Sequence, residues 1–465
     1  MNTNDIIKVN PIAETNVPPT ILARHAARTC YSADVPEMDK TIDDKNTSFV
    51  RKSLFDTGHH TTLEHNYFTF NIEGIPVSSV VFGLHLTAPF YNTDQRSGRF
   101  SKMYDDPDMN AIKKTLETYY PYVSSHNINR ATGWIEQGLN IYAKNKARAT
   151  ELAANAIHHE RPKANDEYIA KQAPKLAQEQ LRMFISMIAP TALDWTADLV
   201  TIAALYRTAW TPFMCDTMDK IANTIKAKYP DISYMFEQNS HDNIGFWYPN
   251  MPNEYMGVKI KPEFKLIDYK YDDKTFGEDK SRDMVDTLHF RPESMNNSVN
   301  YVHTQIHIDA GATMGQDQRH RTIKRSEPVF TGYFYLPPLL NMAGLKDSAD
   351  KFMREYYSMV ADPNMSRSML MSIAPYGAMV QYEKLSDLNA LMHEQGKRTC
   401  WCAQEAIYHI SCDLRRDLAQ YIGEKAKLMK YLTPPCLSRG KCAEGARYCG
   451  RDIANKINYF RQRQI

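Results

Sequence analysis

The chain has 465 residues, 43% of them apolar and 24% charged, and a formal net charge of +2. That length exceeds one ordinary domain and the composition is globular, which excludes a disordered or fibrous protein. The near-balanced charge gives no overall attraction to a nucleic-acid polymer, so any phosphate chemistry must come from local arginine clusters.

From Met1 to Pro11 the sequence is polar, without the basic start and apolar run of a signal peptide. No stretch approaches the roughly 18 apolar residues of a membrane span. A cytoplasmic protein without membrane contact is the expectation.

In chain order, Tyr67 to Ile72 alternates like a half-buried strand and leads to a basic segment ending Gln95-Arg96-Ser97-Gly98-Arg99. Arg182 then precedes Ile188-Ala189-Pro190. Arg207-Thr208-Ala209-Trp210 opens a stretch with Phe213, Met214, Met218, Ile221 and Ile225 at helical spacing. Each of these features has an echo further on. Tyr301 to Ile308 alternates and leads to Gln316-Asp317-Gln318-Arg319-His320-Arg321. Arg367 precedes Ile373-Ala374-Pro375, and Arg398-Thr399-Cys400-Trp401 opens a stretch with Ile407, Ile410, Leu414 and Leu418. Echoes in the same order point to an internal repeat. The boundary is placed in the Pro-, Asn-, Asp- and Lys-rich region near 240 to 285, with halves 1–245 and 246–465. Asp268 to Asp286 is expected to be an exposed connection. The expected architecture is α+β, each half a small antiparallel sheet flanked by long helices.

Arg319-His320-Arg321, with Lys324 and Arg325 behind it, is the densest cationic cluster. Such groups repel one another unless an anion neutralises them, and guanidinium forks match phosphate oxygens. A solvated basic loop and a phosphate site are equally compatible with these residues alone. Arg96-Ser97-Gly98-Arg99 offers charge, a hydroxyl and close backbone approach, although a bland surface turn has the same composition.

The order of these segments resembles the flavin-dependent thymidylate synthase family. Ala26-Ala27-Arg28-Thr29-Cys30-Tyr31, Gly58-His59-His60 through Glu64-His65, and Ser97-Gly98-Arg99-Phe100-Ser101-Lys102 resemble its early segments. Gln316, Arg319-His320-Arg321 and Glu327, then Arg398 with Ala403-Gln404, resemble its later ones. The departures are complementary. Leu84-His85-Leu86 stands in the first half where the family has Arg-His-Arg, and an insertion around Pro89-Phe90-Tyr91 precedes Asp94 and Gln95. In the second half Glu327 runs into Pro328-Val329-Phe330-Thr331-Gly332, without Ser-Gly-Arg. Lys324 replaces a family serine, and Cys402 stands where some members place a histidine.

The resemblance implies a composite site. Gln95, Arg96, Ser97, Gly98, Arg99, Arg207, Gln316 and Arg398 would bind the substrate, with Arg207 or Arg398 acting from a helix start. Arg319, His320, Arg321, Glu327 and His59 would bind FAD. His59 and Glu64 are the catalytic candidates, with a structural His–Glu pair as the alternative. A homodimer would rebuild the family's tetramer as a pseudo-tetramer. The implied reaction is methylation of dUMP to dTMP, with 5,10-methylenetetrahydrofolate and NADPH as co-substrates. Hydroxymethylation of a pyrimidine nucleotide and a nucleotide-binding pseudoenzyme are the alternatives.

Six of the eight cysteines fall between Cys400 and Cys449. Cys412, Cys436, Cys442 and Cys449 could hold a structural zinc, with Cys400 and Cys402 as substitutes. Gaps of five and six residues between the last three are longer than usual for zinc, and buried free thiols are the alternative.

Overall fold

Alternation at Tyr67–Ile72 does produce a strand, because every second side chain there enters a core. The structure, a computed structural model, describes residues 6–38, 48–86, 91–99, 101, 104–105, 107–237, 246–278, 292–440, 442, 444–445, 448–452 and 459–465. The first sheet contains β1 (Lys8–Glu14), β2 (Tyr67–Pro76), β3 (Tyr91–Gln95) and β4 (Pro190–Asp198), in the antiparallel order β1-β2-β4-β3. Its helices are α1 (Pro19–Tyr31), α2 (Met109–Tyr119), α3 (Ser125–Glu160), α4 (Asp166–Leu181), α5 (Leu199–Thr208) and α6 (Pro212–Lys228).

The second sheet contains β5 (Gly257–Lys259), β6 (Glu263–Lys270), β7 (Tyr301–Asp309), β8 (Lys324–Arg325), β9 (Val329–Tyr335) and β10 (Ala378–Asp387). Its order is β6-β7-β10-β9-β5, and β8 also pairs with β10. With it come α7 (Lys346–Val360), α8 (Arg367–Ile373), α9 (Leu388–Arg398) and α10 (Glu405–Ile422). The fold is therefore α+β.

The two sheets share more than an order. Tyr67 faces Asp198, Tyr301 faces Asp387, and each aspartate caps the next helix, accepting from Thr201 N and Ala390 N at 2.8 Å. Along the edge of the first sheet Ile12 is passed over between the pairs Pro11–Phe70 and Ala13–Thr69. Along the second, Ile267 is passed over between Leu266–Thr304 and Asp268–His303. Counted from Tyr67 and Tyr301, both bulges fall on the same rung, and both isoleucines are exposed. After β2 and after β7 the chain enters a π-helical turn, Val80–Leu84 and Ala310–Met314.

One hydrophobic core runs through both sheets. α3, about 54 Å long at 1.5 Å per residue, crosses to α7, where Trp134 stacks on Phe352 at 4.4 Å and donates to its carbonyl at 2.9 Å. Gly138 sits at this crossing, where a Cβ would meet the Phe184 carbonyl. The segments before β4 and β10 are bonded to each other: Met187 N donates to Ala374 O at 2.8 Å, and Tyr376 N to Ile185 O at 2.8 Å. The segment just before the first Ile-Ala-Pro echo thus runs antiparallel to the second one.

Three expectations are corrected. Asp268 to Lys270 is strand rather than connection, because Asp268, Tyr269 and Lys270 continue β6 opposite His303, Val302 and Tyr301. Beyond it Phe276 is buried among Val302, Leu391 and Leu428, and residues 279–291 lie outside the described residues. The two Arg-Thr-x-Trp segments do not open helices. They close α5 and α9, since Thr211 caps α6 and the chain turns through residues 399–404 before α10. Arg207 and Arg398 accordingly stand at helix C-termini, where a cation suits the dipole.

If the two capping aspartates do equal work, Asp198→Ala and Asp387→Ala will each lower the unfolding free energy by about 1 kcal/mol. Urea titration of both variants measures this, and a loss at one site alone would refute the equivalence.

Candidate functional site

Where the end of β3 meets the turn after β7, the chain encloses a cavity of about 270 Å³. Gln95, Arg96, Ser97, Gly98 and Arg99 line it from one side, and Gln316, Arg319 and Arg398 from the other. Arg182, Thr191 and Tyr376 complete the wall. Five guanidinium groups thus face one small space.

Each arginine is held differently. Arg99 pairs with the buried Glu179 and donates to the Cys402 carbonyl at 3.1 Å. Arg182 is buried, donates to Glu179 O at 3.1 Å and Gln404 Oε1 at 2.8 Å, and lies 5.7 Å from the Tyr376 ring centroid. Arg398 donates through Nε to His320 Nε2 at 2.9 Å and through Nη2 to Gln316 O at 2.6 Å. Burial, with Arg319 and Arg99 repelling against the pull of Glu394 and Asp317, pushes Arg398 down to about 10. Arg96 and Arg319 are exposed; Arg319 is drawn by the Asp94 carboxylate and repelled by Arg99, Arg182 and Arg321. The charge on Arg96 is open to an anion, and that on Arg319 is shared with Asp94.

Gly98 is required by its surroundings. A Cβ there would lie 2.5 Å from the Tyr104 hydroxyl, which itself donates to Tyr376 OH at 2.9 Å, and 3.2 Å from Arg182 Nη1. Gln178 fixes the same loop, donating to Gly98 O at 2.9 Å and Ser101 O at 2.6 Å. Phe100 and Lys102 lie outside the described residues, as do Pro89 and Phe90 of the insertion.

The other sequence candidates are placed elsewhere. His320 is buried and serves as the acceptor for Arg398. Arg321 reaches back to β3, donating to Tyr91 O at 2.7 Å and Asn92 Oδ1 at 2.8 Å, with its guanidinium over the Tyr91 ring. Glu327 accepts from Trp247 Nε1 at 2.8 Å. His59 and Glu64 are exposed at the ends of the turn His60–Thr62 and form no pair, so the structural His–Glu alternative is corrected. Arg207 lies over the Phe55 ring, away from the cavity. Lys324 is exposed on β8 opposite Leu385. Cys402 offers its carbonyl to Arg99, while its thiol is engaged with Cys400 and Cys449.

Arg182, Thr191 and Tyr376 are wall residues that motif reading missed. Arg182 and the Pro375 that precedes Tyr376 were visible only as members of the echo.

The proposed zinc ligands are corrected too. Among the described residues no three His, Cys, Asp or Glu side chains are placed to hold a metal ion. Cys412, Cys436, Cys442 and Cys449 are free thiols packed with Trp401, Tyr408 and Tyr459. Each also has a polar partner: Tyr408 for Cys412, the Tyr459 hydroxyl at 3.9 Å for Cys436, Glu444 N at 3.4 Å for Cys442, and the Cys402 thiol for Cys449. The left-handed glycines Gly440, Gly445 and Gly450 turn the tail around that aromatic cluster.

An α+β protein with an arginine-lined cavity at the joint of two similar sheets is the class that fold and site define. Residues 12–225, a little under half of the chain, match the family model Thy1, thymidylate synthase complementing protein. No curated protein matches it. Among solved structures, a flavin-dependent thymidylate synthase from Helicobacter pylori complexed with FAD and dUMP is 13% identical, covering 50% of this chain and 98% of that one at a TM-score of 0.34. A UMP/dUMP methylase from Streptomyces cacaoi bound with 5-Br dUMP is 14% identical, covering 50% and 94% at 0.30. Likeness at this level carries no weight for the chemistry. No helix among the described residues is long and apolar enough to cross a membrane.

Two outcomes follow from the site's surroundings. Glu405, buried beside the cavity wall, accepts from Tyr335 OH at 2.9 Å, and burial followed by repulsion from Glu179 raises its carboxyl to about 8. The folded state therefore keeps a proton that the unfolded chain releases near pH 4.5, so stability falls as pH rises from about 4.5 to 8, on the order of 1 kcal/mol per pH unit. Glu405→Gln will flatten that slope in urea titrations between pH 5 and 8, and a wild type already flat would mean that Glu405 is ionised. In the tail, chelator-washed protein will contain no zinc by elemental analysis while titrating all 8 cysteines as thiols after denaturation; stoichiometric zinc would contradict the packed-thiol account.

Proposed function

We propose that the chain is a flavin-dependent enzyme modifying a pyrimidine deoxynucleotide, with dUMP methylation as the leading reaction. One observation carries the reading: Gln95–Arg99 and Gln316, Arg319 and Arg398, the complementary motif remnants of two halves, line one cavity. The rung-matched bulges and the paired aspartate caps support descent of 1–245 and 246–465 from one duplicated unit.

In this reading the nucleotide phosphate lies against Arg96, Ser97, Gly98 and Arg99. Charge-assisted bonds to a doubly charged phosphate offset the mutual repulsion of the guanidiniums. Gln316 and Arg398 face the base and sugar from the opposite wall. FAD supplies redox chemistry when bound, and the exposed Arg319 fits one of its phosphates. A cavity of about 270 Å³ lies just below the usual range of ligand pockets, roughly 300–1,000 Å³. It suits a mononucleotide, whereas a dinucleotide beside it needs room beyond what one chain encloses. That supports a homodimer in which the site is completed across two chains. Methylenetetrahydrofolate and NADPH remain the co-substrates proposed for carbon and hydride.

A second reading has its own observation. His320 and Arg321 are both engaged by protein groups, which favours a nucleotide-binding protein without flavin turnover.

Visible spectra during flavin and dUMP titration separate the two. The enzyme reading expects bound oxidised flavin whose bands shift on adding dUMP, with one nucleotide per chain. Arg99→Ala should weaken dUMP binding at least tenfold and Arg319→Ala should weaken flavin binding by a similar factor. Nucleotide binding with no flavin at any concentration would leave the second reading standing, and unchanged affinities in both variants would remove the composite site.

A further inference from the structure

His320 belongs to the Arg-His-Arg cluster, yet its ring does not face the cavity in the way Arg319 does. Its Nε2 accepts the Nε–H of Arg398 at 2.9 Å. A guanidinium has no acceptor, so Nε2 must carry a lone pair and the imidazole must be neutral. Its surroundings agree: burial, Arg398, Lys384 and His393 hold its titration well below the ordinary range, and the single opposing charge is Asp317.

The backbone beneath it is tied down by a buried ionic cluster. Asp317 accepts from Arg325 Nε at 2.6 Å, Lys384 Nζ at 2.5 Å and Tyr382 OH at 2.8 Å. Lys384 also donates to Glu394 at 2.6 Å, and Glu394 lies one turn before Arg398 on α9. His320 N donates to Asp317 O at 3.0 Å, and Arg325 Nη2 donates to His320 O at 3.2 Å. The ring is therefore fixed relative to the helix that carries Arg398. With Nε held by His320 and Nη2 by Gln316 O, the guanidinium keeps one orientation, with its Nη1 edge left for a ligand.

We propose that His320 is a positioning residue for the nucleotide rather than a flavin contact: it orients the Arg398 guanidinium in the cavity through the Nε2 acceptor. The inference deepens the functional reading above and rests on its assignment of the cavity to a nucleotide.

The test is calorimetric titration of the full-length protein with dUMP and, separately, with FAD. His320→Leu should weaken dUMP binding about tenfold while FAD affinity changes less than twofold, and His320→Gln, which restores an acceptor, should recover most of the loss. In an Arg398→Leu background, His320→Leu should cost nothing further. Loss of FAD affinity with dUMP affinity intact, additive losses in the double variant, or a glutamine as damaging as the leucine would each overturn the proposal. If the leucine variant does not fold, the glutamine variant and imidazole ¹⁵N spectra of the wild type decide: an unprotonated Nε2 at pH 7 is expected, and a doubly protonated ring overturns it. The spectra need no ligand, so a wild type that fails to bind dUMP would sink the functional reading while the His320–Arg398 bond is still judged separately.

Discussion

Five guanidinium groups in one small cavity repel one another, and much of the surrounding structure exists to hold them there. The fold meets that repulsion in two ways. Some charges are paired with buried acids, as Arg99 is with Glu179, or placed at a helix end, as Arg398 is at the C-terminus of α9. Others are braced by neutral acceptors: carbonyls of Glu179 and Gln316, the Gln404 side chain, the His320 ring. A carboxylate at every position would have neutralised the cavity. Neutral acceptors fix the geometry and leave net positive charge for a ligand.

The joint between the sheets explains where this happens. β3 ends against β4 at Leu193, and the chain runs on through Arg96, bonded to Ala192, into the loop at Ser97 and Gly98. On the second sheet, β9 runs Val329 and Phe330 opposite Gln381 and Val380. Phe330 packs on Phe82 at 5.4 Å, and Trp210 and Trp247 cover the same region through bonds to Phe82 and Glu327. One place is charged and open to a ligand, whereas the other is filled with aromatic rings.

The parts legible in the sequence were those with local signatures. Alternation at Tyr67–Ile72 and Tyr301–Ile308 located the central strands, and the helical spacing of Phe213, Met214, Met218, Ile221 and Ile225 located α6. The Arg-Ser-Gly-Arg and Arg-His-Arg motifs located both walls of the cavity. What escaped was whatever depends on tertiary direction. Arg321 lies two residues from Arg319 and points the opposite way, because β3 offers it two backbone carbonyls and an aromatic face. The helix starts were misplaced because Thr211 and Gln404, not the arginines, begin α6 and α10. The cysteine tail carried a ligand-like composition, but although the Cys402 thiol meets those of Cys400 and Cys449, no three ligand side chains among the described residues are placed to hold a metal ion. Tyr376 had no signal of its own, since its place depends on the Ile185–Tyr376 bond between segments nearly two hundred residues apart.

That bonded junction has a consequence for how the site is supplied. Both loops of the cavity reside on one polypeptide, so their encounter is intramolecular and its effective concentration is set by the connecting chain rather than by the amount of protein present. The charged loop and its arginine partners are always made in equal number and at the same moment. Under the proposed duplication, neither half has to be complete, and departures such as Leu84 and Leu86 in one, or Val329 and Phe330 in the other, leave no molecule short of a wall.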